Sequence, residues 1–361
     1  MECAIESKCS NFYPILLEPN LHTIVWGGTR LKQWKKLSDL KDSPNSIHIG
    51  ESWEVSAIPS SPSIISNGAW AGYSLAEIIA RYPSAILGNA VAKKYNNTLP
   101  LLVKFIDAQK DLSIQVHPND EIALREHNKR GKTEMWYILD AAPGACIYVG
   151  FNTKLTLDEY KKRVAEGTIT EVLARHEVHT GDVFYLPAGR IHAICSGVLL
   201  AEVQQASDIT YRIFDYHRLD FNGQPRELHI DLAAKALNFE VLNDYRTSYC
   251  KQVNRPNKII ESPLFSVRTL ELTSNYHRNM IKYDSFIIVM CLQGSTKISI
   301  RSTHDEITIH EGYSCIIPAT IADYDYIPLE KRCKVLESYI NNKKASWGAK
   351  IVRFFHITKC C

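Results

Sequence analysis

A string of Gly, five residues and Pro occurs twice in this chain at identical internal spacing, and no other feature constrains the fold as strongly. The first copy is Gly181-Asp-Val-Phe-Tyr-Leu-Pro187-Ala-Gly189-Arg-Ile-His192, and the second is Gly312-Tyr-Ser-Cys-Ile-Ile-Pro318-Ala-Thr320-Ile-Ala-Asp323. In the second copy Thr320 stands for Gly189 and Asp323 for His192. Two copies of one strand-built unit, one carrying polar ligands and one stripped of them, account for the pattern. Strand-like runs elsewhere (Ile147-Tyr148-Val149, Val183 to Leu186, Val198 to Val203, Phe286 to Leu292, Lys297 to Ile300) alternate with Gly, Pro and Asp turns. That favours an all-β barrel or sandwich. The polar stretch Asn254-Arg255-Pro256-Asn257 breaks the pattern. The expected division is therefore a first domain over 1–254 with helical additions and a second over 255–361.

Three segments read as helices packed outside the sheets. Ser74 precedes Leu75 to Ala80, with Glu77 placed for a capping box. Thr156 precedes Leu157 to Glu166, which has Asp158 and Glu159 in its first turn. Leu228 to Leu237 is the third.

Composition removes several function classes. The 361 residues carry a net charge of +3 with acids and bases interspersed, so no sustained field draws the protein to nucleic acid or a membrane. The Lys129-Arg130-Gly131-Lys132 cluster is too short to change that. Met1 to Ser10 has no apolar core of a signal peptide, and the longest apolar run, Phe286 to Leu292, is far short of a membrane span. The ten cysteines have no C-x-x-C spacing, and the terminal Cys360-Cys361 is not a prenylation signal. Cys146, Cys195, Cys291 and Cys315 lie in apolar runs and read as small buried hydrophobes of a reducing, cytoplasmic protein. Oligomeric state is not legible. No phosphate-cradling Gly-rich loop and no hydrolase elbow is present.

Four residues carry the chemical reading. Gln115 and His117 are two apart in Leu112-Ser-Ile-Gln-Val-His117-Pro118, so in a strand they share a face until Pro118 ends it. Glu134 opens an apolar strand, Thr133 to Leu139, where a carboxylate needs a partner or solvent. His192 follows the Gly181–Gly189 turn. Two imidazoles, a carboxylate and an amide oxygen suit zinc with a position left open, as in a catalytic site. His176-Glu-Val-His179 has metal-like spacing but reads as surface. Trp26, Trp53 and Trp136 read as core rather than as a sugar platform.

At these residues the chain resembles the cupin superfamily and, within it, the type I mannose-6-phosphate isomerases. Gly181-x5-Pro187-x-Gly189-x2-His192 is similar to the second cupin motif, with Ser196 where that motif ends in Asn. Gln115-x-His117 with Glu134 is similar to the first. Val25-Trp26-Gly27-Gly28, Gly50 to Ser56, Ala206 to Arg212 and Pro225 to His229 also match, in the family's order, from Phe12 to Ile340. The likeness is to the shorter bacterial subgroup. It implies a mainly β fold of two cupin-like jelly-roll barrels with a few peripheral helices, the C-terminal one degenerate. It also implies zinc on Gln115, His117, Glu134 and His192, and Arg212 as an active-site arginine.

The implied reaction interconverts D-mannose 6-phosphate and D-fructose 6-phosphate through an enediol(ate). It needs a Lewis acid, a base near C1 and C2, and a cation for the phosphate. Glu202, Gln204, Asp208, Thr210 and Arg212 form an even-numbered polar series that shares a face if one strand spans it. Arg212 is then expected to stabilise charge or bind phosphate. Lys132 is expected to contact substrate or transfer the proton, Ser113 to hydrogen-bond phosphate, and Asp208 to act as a second base or orient Arg212. The rival readings are a 2-His-1-carboxylate iron oxygenase and a non-catalytic sugar-binding cupin.

Overall fold

The computed structural model describes residues 12–37 and 48–342, so the expectations for the N-terminal ten residues and for Cys360-Cys361 fall outside it. The described chain is mainly β, and it divides into two units. Among the described residues, one holds those of 21–53 and 101–247; the other holds 12–20, 54–100 and 248–342. The crossing at 247/248 lies near the expected break. Segment 54–100, assigned by sequence to the first domain, groups instead with the C-terminal strands. Local pattern reveals that a segment is helical but not which sheet receives it.

The first unit carries a six-stranded sheet. Its order is Asn20–Gly28, Ile49–Val55, Leu101–Ala108, Val198–Gln205, Glu134–Ala141, Val183–Leu186. A five-stranded sheet in the same unit runs Tyr211–Phe214, Ile114–Val116, His192–Ile194, Cys146–Phe151, Leu173–Glu177. The second unit has a six-stranded sheet and a four-stranded one of its own. The apolar run at 286–292 becomes the central strand Ile287–Gln293 of that six-stranded sheet.

The internal repeat holds at the level of the backbone. Gly181 N–H donates to Ile138 O (2.8 Å) while Ile138 N–H donates to Asp182 O (2.9 Å). In the second copy Gly312 N–H donates to Cys291 O and Cys291 N–H to Tyr313 O, both at 2.9 Å. Both glycines have left-handed φ, 90° and 83°. After each Pro the same four-residue turn closes, Arg190 N–H to Pro187 O and Ile321 N–H to Pro318 O. The third turn position differs: Gly189 has φ 89°, whereas Thr320 is not left-handed. A type II turn therefore needs glycine in the first copy, and the second copy tolerates Thr.

Gly189 also donates its N–H to His117 O (2.8 Å), and an added Cβ would lie 2.8 Å from Ala236 O. Gly189→Ala is expected to destabilise by about 2 kcal/mol or more, combining the φ cost with the clash. Gly223→Ala, left-handed at φ 73° but with open space around it, should lose only the conformational part. Urea unfolding of both variants checks this, and equal losses would contradict it.

The capping box expected at Ser74 forms, and a second, beyond the expected helix start, forms at Thr156. Ser74 and Glu77 bond reciprocally at the start of Leu75–Arg81, as do Thr156 and Glu159 at Leu157–Ala165. The third expected helix is Ile230–Ala236. The sequence reading overlooked Asp120–His127, which Asn119 caps through Ile122 N–H directly after the His117-Pro118 strand end. No helix among the described residues is long and apolar enough to cross a membrane.

Candidate active site and metal centre

The site lies within the first unit. On the five-stranded sheet Gln115 is the register partner of both His192 and Arg212, so three polar side chains stand side by side across three strands. On the six-stranded sheet Glu134 pairs with Gln204, and one row further on Lys104, Glu202 and Trp136 align across three strands. His117 follows its strand directly and is held by its Nδ1, which bonds Ile209 O at 3.0 Å.

His117, Glu134 and His192 converge. Their ligand-type atoms all lie within 4.8 Å of one another, and the three residues are 1–2% exposed. His117 Nε2 is 3.3 Å from Glu134 Oε2, and His192 Nε2 is 3.3 Å from Glu134 Oε1. Atoms bound at about 2.0–2.1 Å to a tetrahedral divalent ion are separated by roughly that distance. His192 Nδ1 bonds Arg190 O at 2.8 Å, so both imidazoles donate from Nδ1 and present a bare Nε2 inward. His117 Nε2 and both Glu134 oxygens are buried without a hydrogen-bond partner. These orphaned acceptors fit a cation. Gln115 Nε2 lies 3.2 Å from His192 Nε2, and a half-turn of its amide would present the oxygen instead. Among the described residues no other such group exists, and none lies in the second unit. There Asp323 receives His277 at 2.8 Å, and a buried Arg278–Glu337 ion pair is surrounded by Tyr324 and Tyr326.

Burial, reinforced by the Lys132 charge, pulls the His117 imidazole down to about 3 despite Glu134. Burial also lowers His192. The Glu134 carboxyl is pushed up by burial, but Lys132, His117 and His192 outweigh this and hold it below its ordinary value. The unfolded chain therefore binds more protons than the folded one once pH drops below the free imidazole value of about 6.5. In the metal-free protein stability should be full above that pH and fall steadily toward pH 3. Thermal melts of apo-protein from pH 7.5 to 4.5 check the sign; a melting temperature that rises on acidification would refute it.

A cavity of about 240 Å³ adjoins the cluster. Ser113, Gln115, Lys132, Glu202, Asp208, Thr210 and Arg212 all line it. Lys132 is buried with Nζ 3.4 Å from Glu134 Oε2. Arg212 donates from Nη1 to Glu227 O (2.8 Å), and its buried Nε has no partner. Burial, and next the positive charge of Arg226, lowers the Arg212 guanidinium. Arg226 also lines the cavity, gripped by Asp215 at 2.7 and 2.6 Å. The cavity lining thus includes two neighbouring guanidinium groups.

Several expectations need correcting. The polar series does not lie on one strand: Glu202 and Gln204 belong to Val198–Gln205, Arg212 to Tyr211–Phe214 in the other sheet. The break is fixed by the Gln204 amide, which donates to Gln205 O and Ser207 O. Asp208 does not orient Arg212; it is exposed and receives Lys129 Nζ at 2.7 Å, while the Glu227 carbonyl holds the arginine. Trp53 is half-buried on the cavity wall, stacked on His22 at 4.5 Å. Trp26 and Trp136 are buried as expected yet border the cavity. His176 is half-buried, 5.5 and 5.7 Å from the Phe184 and Tyr245 rings, rather than at the surface.

Glu51 and Lys104 were missed from sequence, and Glu202 was placed in the polar series without a role of its own. Lys104 Nζ lies 3.1 Å from Glu51 and 3.4 Å from Glu202, and Trp136 donates to Glu202 at 2.9 Å. Burial first, and Glu134 second, raises the Glu202 carboxyl. The missed signal is the one that exposed Glu134: a charge inside an apolar strand, here Leu101-Leu-Val-Lys104-Phe-Ile106.

Residues 15–141 match the family model described as phosphomannose isomerase type I, catalytic domain. The probable mannose-6-phosphate isomerase GmuF of Bacillus subtilis is 34% identical over 330 residues, 91% of this chain and 99% of that protein. The mannose-6-phosphate isomerase of Streptococcus mutans is 32% identical over 314 residues, covering 87% and 95%. The crystal structure of the mannose 6-phosphate isomerase from Bacillus subtilis superposes with a TM-score of 0.80 at 31% identity, covering 91% of this chain and 99% of that one. With that identity carried along nine-tenths of its length, the chain belongs to the type I phosphomannose isomerase family.

Proposed function

We propose that this chain interconverts D-mannose 6-phosphate and D-fructose 6-phosphate in the cytoplasm, as an enzyme of carbohydrate metabolism that uses zinc. The observation that carries the reading is the convergence of orphaned, buried acceptors on His117 and Glu134 beside a cavity whose lining includes Arg212 and Arg226. Gln115, His117, Glu134 and His192 would hold the ion, whose donor set of two imidazoles, a carboxylate and an amide oxygen suits zinc. When bound, zinc supplies Lewis acidity to the sugar oxygens near C1 and C2.

The side chains do the rest. Arg212, with Arg226 beside it, receives the phosphate or the negative charge of the enediolate, since two neighbouring guanidinium groups gain most from a dianion. Ser113 donates to the phosphate. Lys132 contacts the reacting carbons and carries the proton between C2 and C1, with Asp208 at the cavity wall as the second candidate. Anchoring the phosphate fixes the distance from C1 and C2 to these groups. An oxygenase role would leave the two arginines of the lining without purpose. The pair of sheets in each unit is read as a cupin-like jelly roll, catalytic in the first unit and degenerate in the second.

Chelation tests this reading. Dialysis against a strong chelator should abolish fructose 6-phosphate formation, and zinc should restore it. Full turnover in metal-free protein would dismiss the mechanism.

A further inference from the structure

Cys146 and Cys195 lie on the reverse side of the sheet that bears His192. Ile147, Val149 and Ile194 pack into the inner core, whereas Tyr148 and Ala193 join the outer one. The register pairs Ile194 with Ile147, so the next pair outward is Cys195 opposite Cys146, and Cys195 N–H donates to Cys146 O at 3.2 Å. Both thiols line a second cavity, of about 550 Å³, together with Arg175, Asp111, Tyr148 and Tyr216. Arg175 is tethered at the wall by Gly144 O (3.1 Å).

We propose that Cys146 and Cys195 form a reversible dithiol–disulfide site, oxidised by small peroxides that enter this cavity and reset by small thiols. The Cys146 thiolate attacks one peroxide oxygen: an S–O bond forms, the O–O bond breaks and hydroxide leaves. The Cys195 sulfur then attacks the sulfenic acid, the S–S bond forms, and water leaves with the thiol proton. Two electrons pass to the peroxide, and two equivalents of a small thiol return them by exchange.

Three observations carry this. Directly opposed residues on antiparallel strands have Cα atoms about 4.5–5.5 Å apart, within reach of a disulfide. Roles are also divided: the neighbouring Cys195, with Arg175 nearby, brings Cys146 to about 7 against burial, while Cys195 is raised. A low-pKa thiol beside a resolving thiol is the arrangement of oxidisable sites. Cys291 and Cys333 supply an internal contrast. They too neighbour each other, but both are 0% exposed against 8% and 7% for Cys146 and Cys195. Because the Cys146–Phe151 and His192–Ile194 strands are adjacent, drawing Cys195 toward Cys146 tightens the pair that carries His192.

The metal-loaded, full-length enzyme is exposed to graded hydrogen peroxide, alkylated and mapped by peptide mass. A Cys146–Cys195 linked peptide should accumulate and disappear with dithiothreitol, while Cys291 and Cys333 remain thiols. In Cys195→Ser, dimedone should mark Cys146. Cys146 still fully alkylatable after peroxide that oxidises free cysteine, or linkage of Cys291 to Cys333 first, would overturn the site. Turnover should fall in step with linkage, recover with dithiothreitol, and resist peroxide in Cys146→Ser. Unchanged turnover at full linkage would overturn the coupling to His192.

Discussion

Glu134→Gln is expected to weaken zinc binding by at least about a hundredfold, since even outer partners of metal ligands contribute 10–100-fold. At micromolar zinc, turnover should drop below about 1% of normal. The substitution keeps the volume of a side chain that is 1% exposed, and it removes the charge that faces both bare imidazole nitrogens. Circular dichroism should therefore stay unchanged while titration with a zinc indicator shows the loss. Millimolar zinc should restore part of the activity, because the two imidazoles persist. Retention of metal and turnover by this variant would remove Glu134 from the ligand set.

Arg212→Ala should lower turnover by about 10²–10³, the usual cost of removing a group aimed at developing charge. Its guanidinium is held through Nη1 by Glu227 O and keeps a buried, unpartnered Nε. Arg212→Lys should recover little, since an ammonium cannot satisfy that carbonyl and present a second donor in the same plane. Metal content should stay normal in both variants, which separates this loss from that of Glu134→Gln. A change of less than about threefold would dismiss Arg212 as a catalytic group.

The readable parts of the site were those with local signatures. Gln115 and His117 announce themselves by period-2 spacing, Glu134 by its apolar neighbours, and His192 by the turn that Gly189 makes possible. What escaped depended on register between distant strands. The pairing of Lys104 with Glu202 arises only because they are neighbours across Leu101–Ala108 and Val198–Gln205, although a lysine in that apolar run is itself a local signal. Asp208 looked like a partner for Arg212 by alternation, but Lys129, far away in sequence, takes it. Of the fold, strand content, the Ser74–Glu77 capping box and the helix start after Thr156 were legible because they are local energetics. The placement of 54–100 with the C-terminal strands was not, since tertiary packing decides it.

X-ray absorption at the zinc edge of the purified enzyme tests the metal centre most directly. A shell of nitrogen and oxygen scatterers at about 2.0–2.2 Å with the signature of two imidazoles is expected. Sulfur scatterers at about 2.3 Å, or an unchanged spectrum in His117→Ala, would place the ion elsewhere and contradict the site described.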